Sequence, residues 1–235
     1  MKVSIFLNTR KRVNLLNNML ISLYNTVSDA DNIEVIVTID NDDKESEQFL
    51  ESAELKNLTV RKIDKPSNLH TSINEMANIA SGDFLFVLND DVLFRTFHWE
   101  KTLIENHDPN EIAYIGTIDN SIDKTSSSRY ASFPILTRAA YESLGFFMSE
   151  KFVSHGGDVH LWRIFNDVGC VKYAPIFLDH VLHSTKQGLE ALQSEETGQE
   201  AIKMTYESFV DCWKEDISKE VNLLKESLSE KSNSL

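Results

Sequence analysis

The sequence predicts an α/β protein: an open, mostly parallel sheet flanked by helices, with a helical extension at the C-terminus. Three observations support this. Four stretches rich in apolar and β-branched residues, 3–7, 33–39, 58–63 and 84–88, read as buried strands. Segments with helical periodicity alternate with them. Polar clusters sit just past three of the strands, and in such sheets ligands bind beyond the carboxyl ends of the strands.

Residues 3–7 give way to Asn8-Thr9-Arg10-Lys11-Arg12. From Val13 to about Tyr24, Leu15, Leu16, Met19, Leu20 and Leu23 repeat at helical spacing. IEVIVTI (33–39) is the second strand, closed by Asp40-Asn41-Asp42-Asp43. A charged helix is predicted over about 44–53 and a third strand over 58–63. The next helix, 71–80, puts Ile73, Met76, Ala77 and Ala80 on one face and stops at Ser81-Gly82. Strand 84–88 runs straight into Asn89-Asp90-Asp91. Beyond Val92 the alternation loosens. Helices are predicted at 99–106, 139–144 and 159–168, the last two ended by Gly145 and Gly169. Extended segments are predicted at 112–118, 133–137, 171–178 and 181–182, and a polar loop at 120–129. From about Gly198, Ile202, Tyr206, Phe209, Val210, Trp213, Ile217, Val221, Leu224 and Leu228 step by three or four residues, as one long amphipathic helix or a broken pair.

The chain has 235 residues, 41% of them hydrophobic, enough for a sizeable core. Its net charge of −14 argues against nucleic acid and against anionic membrane surfaces. An anionic small molecule would need a metal ion or a local cationic pocket. Cys170 and Cys212 make no metal-ligand pattern and no disulfide framework. The apolar run at the N-terminus is too short for a signal peptide and no stretch reaches membrane-span length, so a cytoplasmic protein with no integral membrane segment is expected.

Two adjacent carboxylates where a buried strand surfaces admit three readings: a solvated turn, a divalent-metal site, or a general acid/base pair. The surroundings raise the metal reading. At the rim of an acidic protein, a metal ion can bridge carboxylate and phosphate oxygens, and Arg10 and Arg12 stand ready for charge-assisted contacts.

Four stretches together resemble the family 2-like glycosyltransferases of the GT-A fold, a Rossmann-like architecture. SIFLNTRKRVNLLNNMLISL is similar to that family's first strand, nucleotide loop and first helix, and VIVTIDNDD to its second strand. HTSINEMANIASGDFLFVLNDDV resembles the Asn-containing helix, the Ala-x-Gly turn and the acidic DXD-type metal motif. FPILTRAAYESLGFF with HGGDVHLWRIFNDVGC resembles the acceptor-side segment. The resemblance covers about residues 2–185. It implies a catalytic domain over 1–188, with a nucleotide-binding part at about 1–92 and an acceptor part at about 93–188, followed by a helical extension, 189–235.

The resemblance also implies roles. Thr9, Asp40 and Asn74 would serve the nucleotide-sugar, assisted by Arg10 or Arg12. Asp90 would approach the ribose or the metal, and Asp91 would ligate Mn2+ or Mg2+. Asp158 would be the general base, and a histidine of FLDHVLHST the late metal or diphosphate ligand, with His183 favoured over His180. The implied activity is inverting transfer of a hexose-like sugar from a nucleotide-diphosphate sugar, a UDP-sugar foremost, to a saccharide or lipid-linked acceptor in glycan biosynthesis. This chain departs from the pattern at Asn89, which opens the acidic motif, at Gly157, where many relatives carry Glu, and at Arg10-Lys11, where relatives often carry Tyr-Asn.

Simpler readings stand beside several of these roles. Asp158 is also a good helix N-cap. His155 and His160 are better read as structural than as acceptor-pocket residues, and Trp99 and Trp162 as packing than as sugar platforms. Loop 120–129 is either a lid or an ordinary surface loop. The C-terminal stripe buries against the catalytic domain or pairs two copies of the chain. Two other functions remain open: a sugar nucleotidyltransferase, against which the glycine-free first loop speaks, and a non-catalytic nucleotide-sugar-binding module.

Overall fold

The computed structural model describes residues 1–64, 68–121, 130–152, 155–183 and 211–233. Strands β1 (Val3–Thr9), β2 (Ile33–Asp40), β3 (Leu58–Ile63) and β4 (Phe84–Asn89) are joined by helices α1 (Val13–Thr26), α2 (Lys44–Ser52) and α3 (Leu69–Ile79). The second half supplies β5 (Val92–Phe94), α4 (Trp99–Asn106), β6 (Tyr114–Asp119), β7 (Ile135–Thr137), α5 (Arg138–Leu144), α6 (Gly157–Asp167), β8 (Val171–His180) and α7 (Ser218–Asn233). The eight strands among the described residues form one sheet in the order β3-β2-β1-β4-β7-β6-β8-β5.

The first four strands pair in parallel, with Val3 opposite Ile33 and Phe84. Polar clusters that are distant in sequence therefore reach one edge together. Beyond β4 the pairing is mixed. β7 is antiparallel to β4 and β6, β8 is parallel to β6, and β5 is antiparallel to β8. β5 went unread in the sequence because three residues are too few for a period-2 signal.

Both faces of the sheet are covered. Leu16, Met19, Leu20 and Leu23 of α1 and Trp99 and Leu103 of α4 pack on one apolar layer. Residues of α3, α5, α6 and α7, among them Ile73, Ala140, Phe165 and Leu224, pack on the other. Trp99 is fully buried, with ring centroids 5.9 Å from Phe86 and 4.8 Å from Phe94, so it is a core residue. Trp162 is half-buried, edge-on to Trp213 at 6.3 Å. In the C-terminal extension a helical turn at 211–214 is interrupted at 215–217 before α7 begins, the broken form of the predicted stripe. The stripe from Ile202 to Val210, most of loop 120–129 and the end of the chain lie outside the described residues. No helix among the described residues is long and apolar enough to cross a membrane.

Helix starts differ from expectation where caps were not read. Asn68 caps α3 by accepting from His70 N at 2.9 Å, so that helix begins at Leu69. α6 begins at Gly157 after Gly156, whose φ of 87° suits glycine alone. Asp158 therefore lies inside the first turn and is not the N-cap.

Gly82 sits where α3 hands over to β4 and passes close to β1. A Cβ there would come within 2.7 Å of Ser4 N and 2.9 Å of Lys2 O, both backbone atoms that cannot move aside. Gly82→Ala is expected to destabilise the protein by roughly 2–4 kcal/mol, read as a lower midpoint in urea with an unchanged slope.

His160 on α6 is wholly buried, and neither ring nitrogen has a hydrogen-bond partner among the described residues. Burial, reinforced by Lys151 and Arg163, brings its pKa down to about 4. The ring is neutral in the folded state and takes a proton on unfolding. Stability is therefore lost as pH falls from about 6.5 toward 4, by up to about 3 kcal/mol. Thermal unfolding at pH 7 and pH 5 should show this loss in the native protein and a smaller one in His160→Leu.

Candidate active site

The site is built at the carboxyl ends of β1, β2 and β4. Thr9 Oγ1 donates to Asp90 Oδ2 at 2.8 Å, tying the end of β1 to the acidic motif. Arg12 stands 3.5 Å from Asp90 Oδ1. Arg10 bridges Asp40 and Asp42, reaching the latter with NH1 and NH2 at 2.6 and 2.8 Å. The Lys11 backbone N–H donates to Asp43 Oδ2 at 2.6 Å, while Asp43 Oδ1 caps α2 through Ser46 N at 3.1 Å. The pattern follows from topology: basic residues after β1 meet carboxylates after the neighbouring parallel strands.

Asp90 and Asp91 are 5% and 4% exposed. Burial pushes the Asp90 carboxyl up to about 6, against the pull of Arg12 and Thr9 and with the push of Asp91. Burial acts the same way on Asp43, but the Lys11 and Ser46 bonds prevail and hold it below the usual carboxylate range. Hydrogen bonding to Asp42 raises the Arg10 guanidinium further, so it stays charged.

β5 follows Asp91 at once and turns back along β8, with Val92 opposite His180. This places His180 Nε2 3.3 Å from Asp91 Oδ2. Val181 N donates to Asp91 O at 2.8 Å, so the 3-10 turn from Val181 to His183 starts at the acidic motif. The imidazole is set from behind by Ser121 Oγ, 3.0 Å from Nδ1, and by Phe133, edge-on at 4.9 Å. Of the two histidines considered, His180 contacts Asp91. The His183 side chain lies outside the described residues.

The structure thus brings Thr9, Arg10, Arg12, Asp40, Asp90 and Asp91 to one rim. Asn74 is engaged elsewhere. Its Oδ1 accepts from Phe147 N and Met148 N, both at 2.9 Å, and its Nδ2 donates to Met148 O at 2.8 Å and Glu150 Oε1 at 3.0 Å, which fills the amide's capacity. Asp158, in the first turn of α6, accepts from Val159 N at 2.9 Å, and its charge raises the pKa of the buried Tyr114 hydroxyl, though less than burial does. On the outer face of β8 a pocket of about 370 Å³ is lined by Arg95, Ile118, Asp119, Asn120, Phe177, Leu178 and Asp179.

Asp42, Asp43, Asn120 and Ser121 join the site or its support without having been singled out first, and His180, the less favoured of the two histidines, contacts Asp91. The signal for Asp42 and Asp43 was present, as the cluster ending β2. For His180 it was the short apolar run Val92-Leu93-Phe94, which pairs β8 to the acidic motif.

The model of the family described as glycosyl transferase family 2 matches residues 4–166, from β1 through α6. The chain belongs to glycosyl transferase family 2. The match favours the transferase reading over the nucleotidyltransferase one. Solved structures agree on the fold, that of the GT-A glycosyltransferases. The chain is similar to mannosyltransferase PcManGT from Pyrobaculum calidifontis in complex with GDP-Man and Mn2+, at 12% identity and TM-score 0.63, over 97% of this chain and 79% of that one. It is similar to S. aureus TarS 1-349, at 12% identity and TM-score 0.61, over 90% and 71% of the two chains. The same protein in complex with UDP matches at 14% identity and TM-score 0.59, over 89% and 71%. No curated protein sequence matches the chain.

Lys11 adopts a left-handed backbone, φ 54°, which costs a residue with a Cβ of order 1 kcal/mol. The Asp43 carboxylate holds it there. Asp43→Ala should lose both this anchor and the α2 cap, lowering stability by about 1–2 kcal/mol in thermal unfolding. Asp43→Asn, which keeps one acceptor oxygen and so one of the two bonds, should lose less.

Proposed function

We propose that this glycosyl transferase family 2 protein moves a sugar from a nucleotide-diphosphate sugar to a saccharide or lipid-linked acceptor, with divalent-metal dependence and inversion. The observation that carries the reading is the convergence of Asp40, Asp90 and Asp91 with Arg10, Arg12 and His180 where three parallel strands end. The ligands of the similar structures, GDP-Man with Mn2+ and UDP, support it.

Asp40 and Thr9 would face the nucleoside, and Arg10 and Arg12 would offset diphosphate charge. The donor set for a cation is one carboxylate and one imidazole, both buried, which fits Mn2+ better than Mg2+. Among the described residues no group of three or more His, Cys, Asp or Glu is placed to hold a metal, so waters and phosphate oxygens would complete the shell. Asp91 and His180 would hold the ion, which when bound supplies positive charge beside the departing diphosphate.

Asp158 would accept the proton of the acceptor hydroxyl as its oxygen attacks the anomeric carbon. The bond from that carbon to the diphosphate oxygen breaks in the same step, and a single displacement inverts the centre. Phe177 and Ile118 offer the outer pocket an apolar face bordered by Asn120 and Asp179, a combination suited to a saccharide. With an acidic, partly buried rim and a net charge of −14, the protein would call on a cation and its three basic loop residues to bind an anionic donor.

Thermal unfolding with UDP or GDP, each with and without Mn2+, tests the reading. The matching diphosphate should raise Tm only with Mn2+ present, by mass action. Asp91→Asn and His180→Gln should remove most of that shift, while His183→Gln decides between the two histidines. Asp158→Asn should keep the shift and lower sugar transfer by roughly a hundredfold or more. A Mn2+-independent shift would overturn the metal assignment.

A further inference from the structure

The first turn of α6 is held in place from the other half of the chain. α3 presents His70 and Asn74 one turn apart, and both bind the segment 147–150 that leads toward α6. His70 Nδ1 lies 2.9 Å from Ser149 O. A carbonyl only accepts, so Nδ1 carries a proton and donates it to Ser149 O. The opposite edge of the ring lies on Gly157. A Cβ at that position would stand 2.5 Å from His70 Cε1, 2.8 Å from Nε2 and 3.0 Å from Met148 Sδ. Gly157 is not among the glycines with positive φ, unlike Gly156 beside it. Its backbone would accept any residue, and it is the imidazole that excludes a side chain. The ring is 4% exposed, so it is placed to act through its neighbours rather than on a substrate.

We propose that His70 is a positioning residue: seated on Gly157, its ring sets the distance of the first turn of α6, and so of the Asp158 carboxylate, from the acceptor hydroxyl. This rests on the reading of Asp158 as base. The pair works by contact, so the two positions must be coupled.

A double-mutant cycle tests it. His70→Asn keeps an N–H in the place of Nδ1 but empties the space over Gly157. Gly157→Ala drives a methyl into the ring. Activity is read as UDP released from a UDP-hexose, or GDP from GDP-mannose, per folded molecule, alongside the dissociation constant of UDP or GDP with Mn2+. Each single variant should lower kcat roughly ten- to a hundredfold with the nucleotide affinity unchanged. The double variant, in which the methyl occupies the vacated space, should recover much of the loss. If Gly157→Ala does not fold, His70→Gln, whose amide reaches the Nε2 position, should retain more kcat than His70→Asn. Single variants that change Tm but leave kcat alone, or effects that simply add, would overturn the proposal while an inactive Asp158→Asn leaves the base assignment standing. An Asp158→Asn protein of full activity would remove the base assignment and this proposal with it.

Discussion

The structure depends on how two neighbouring carboxylates are kept at the buried end of β4. Asp90 and Asp91 are both nearly out of solvent, and burying charge is costly unless it is met by partners. Asp90 is met by Thr9 and Arg12 from the end of β1, and Asp91 by His180 from the end of β8. Each carboxylate thus recruits one neighbouring element. The loop after β1 is drawn over the sheet edge, and the last strand is drawn back to it. Even so, Asp90 stays above the usual carboxylate range. The rim keeps more negative charge than its own cations balance, and the proposed cation site rests on that excess.

A second constraint joins the halves of the molecule. Along α3, Asn68, His70, Asn74 and Asn78 reach across to Glu150 O, Ser149 O, the 147–148 backbone and the Tyr141 hydroxyl. The helix has an apolar face in the core, with Ile73, Met76 and Ala77, and a polar ladder on the side that meets the second half. Because the ladder bonds mainly to backbone, it fixes the path of the segment that ends in α6 rather than any one side chain. The groups proposed to bind the donor and the group proposed to take the proton are therefore parts of one hydrogen-bonded frame.

Much of this was legible in the sequence. The four parallel strands, their helices and the rim clusters follow from apolar periodicity, since β-branched runs such as Ile33–Ile39 have few other readings. The family match over residues 4–166 takes in most of the segments on which the resemblance rested, but not the stretch from 167 to 185. What escaped was set by contacts across long separations. Three residues of β5 carry no periodic signal, yet their pairing brings His180 to Asp91. Asn74 reads as a polar residue on a helix near the nucleotide, and only the path of residues 147–150 shows what its amide is engaged with. Gly157 reads as a missing acid, and only the position of the His70 ring gives glycine a reason there.

The register of β8 has a consequence for how this sequence can drift. Gly116 pairs with Tyr173 and Ile118 with Phe177, so β8 carries two residues more than β6 across that irregularity. An even surplus leaves the alternation of faces intact. A single-residue insertion between Val171 and Asp179 would reverse it, turning the imidazole of His180 to the outer surface and bringing a third carboxylate, Asp179, against Asp91, while a single deletion would put Val181 there. The reading frame of this one strand decides whether the acidic motif faces a histidine or another anion. Length changes in β8 should therefore survive in pairs, whereas loops elsewhere can lengthen one residue at a time.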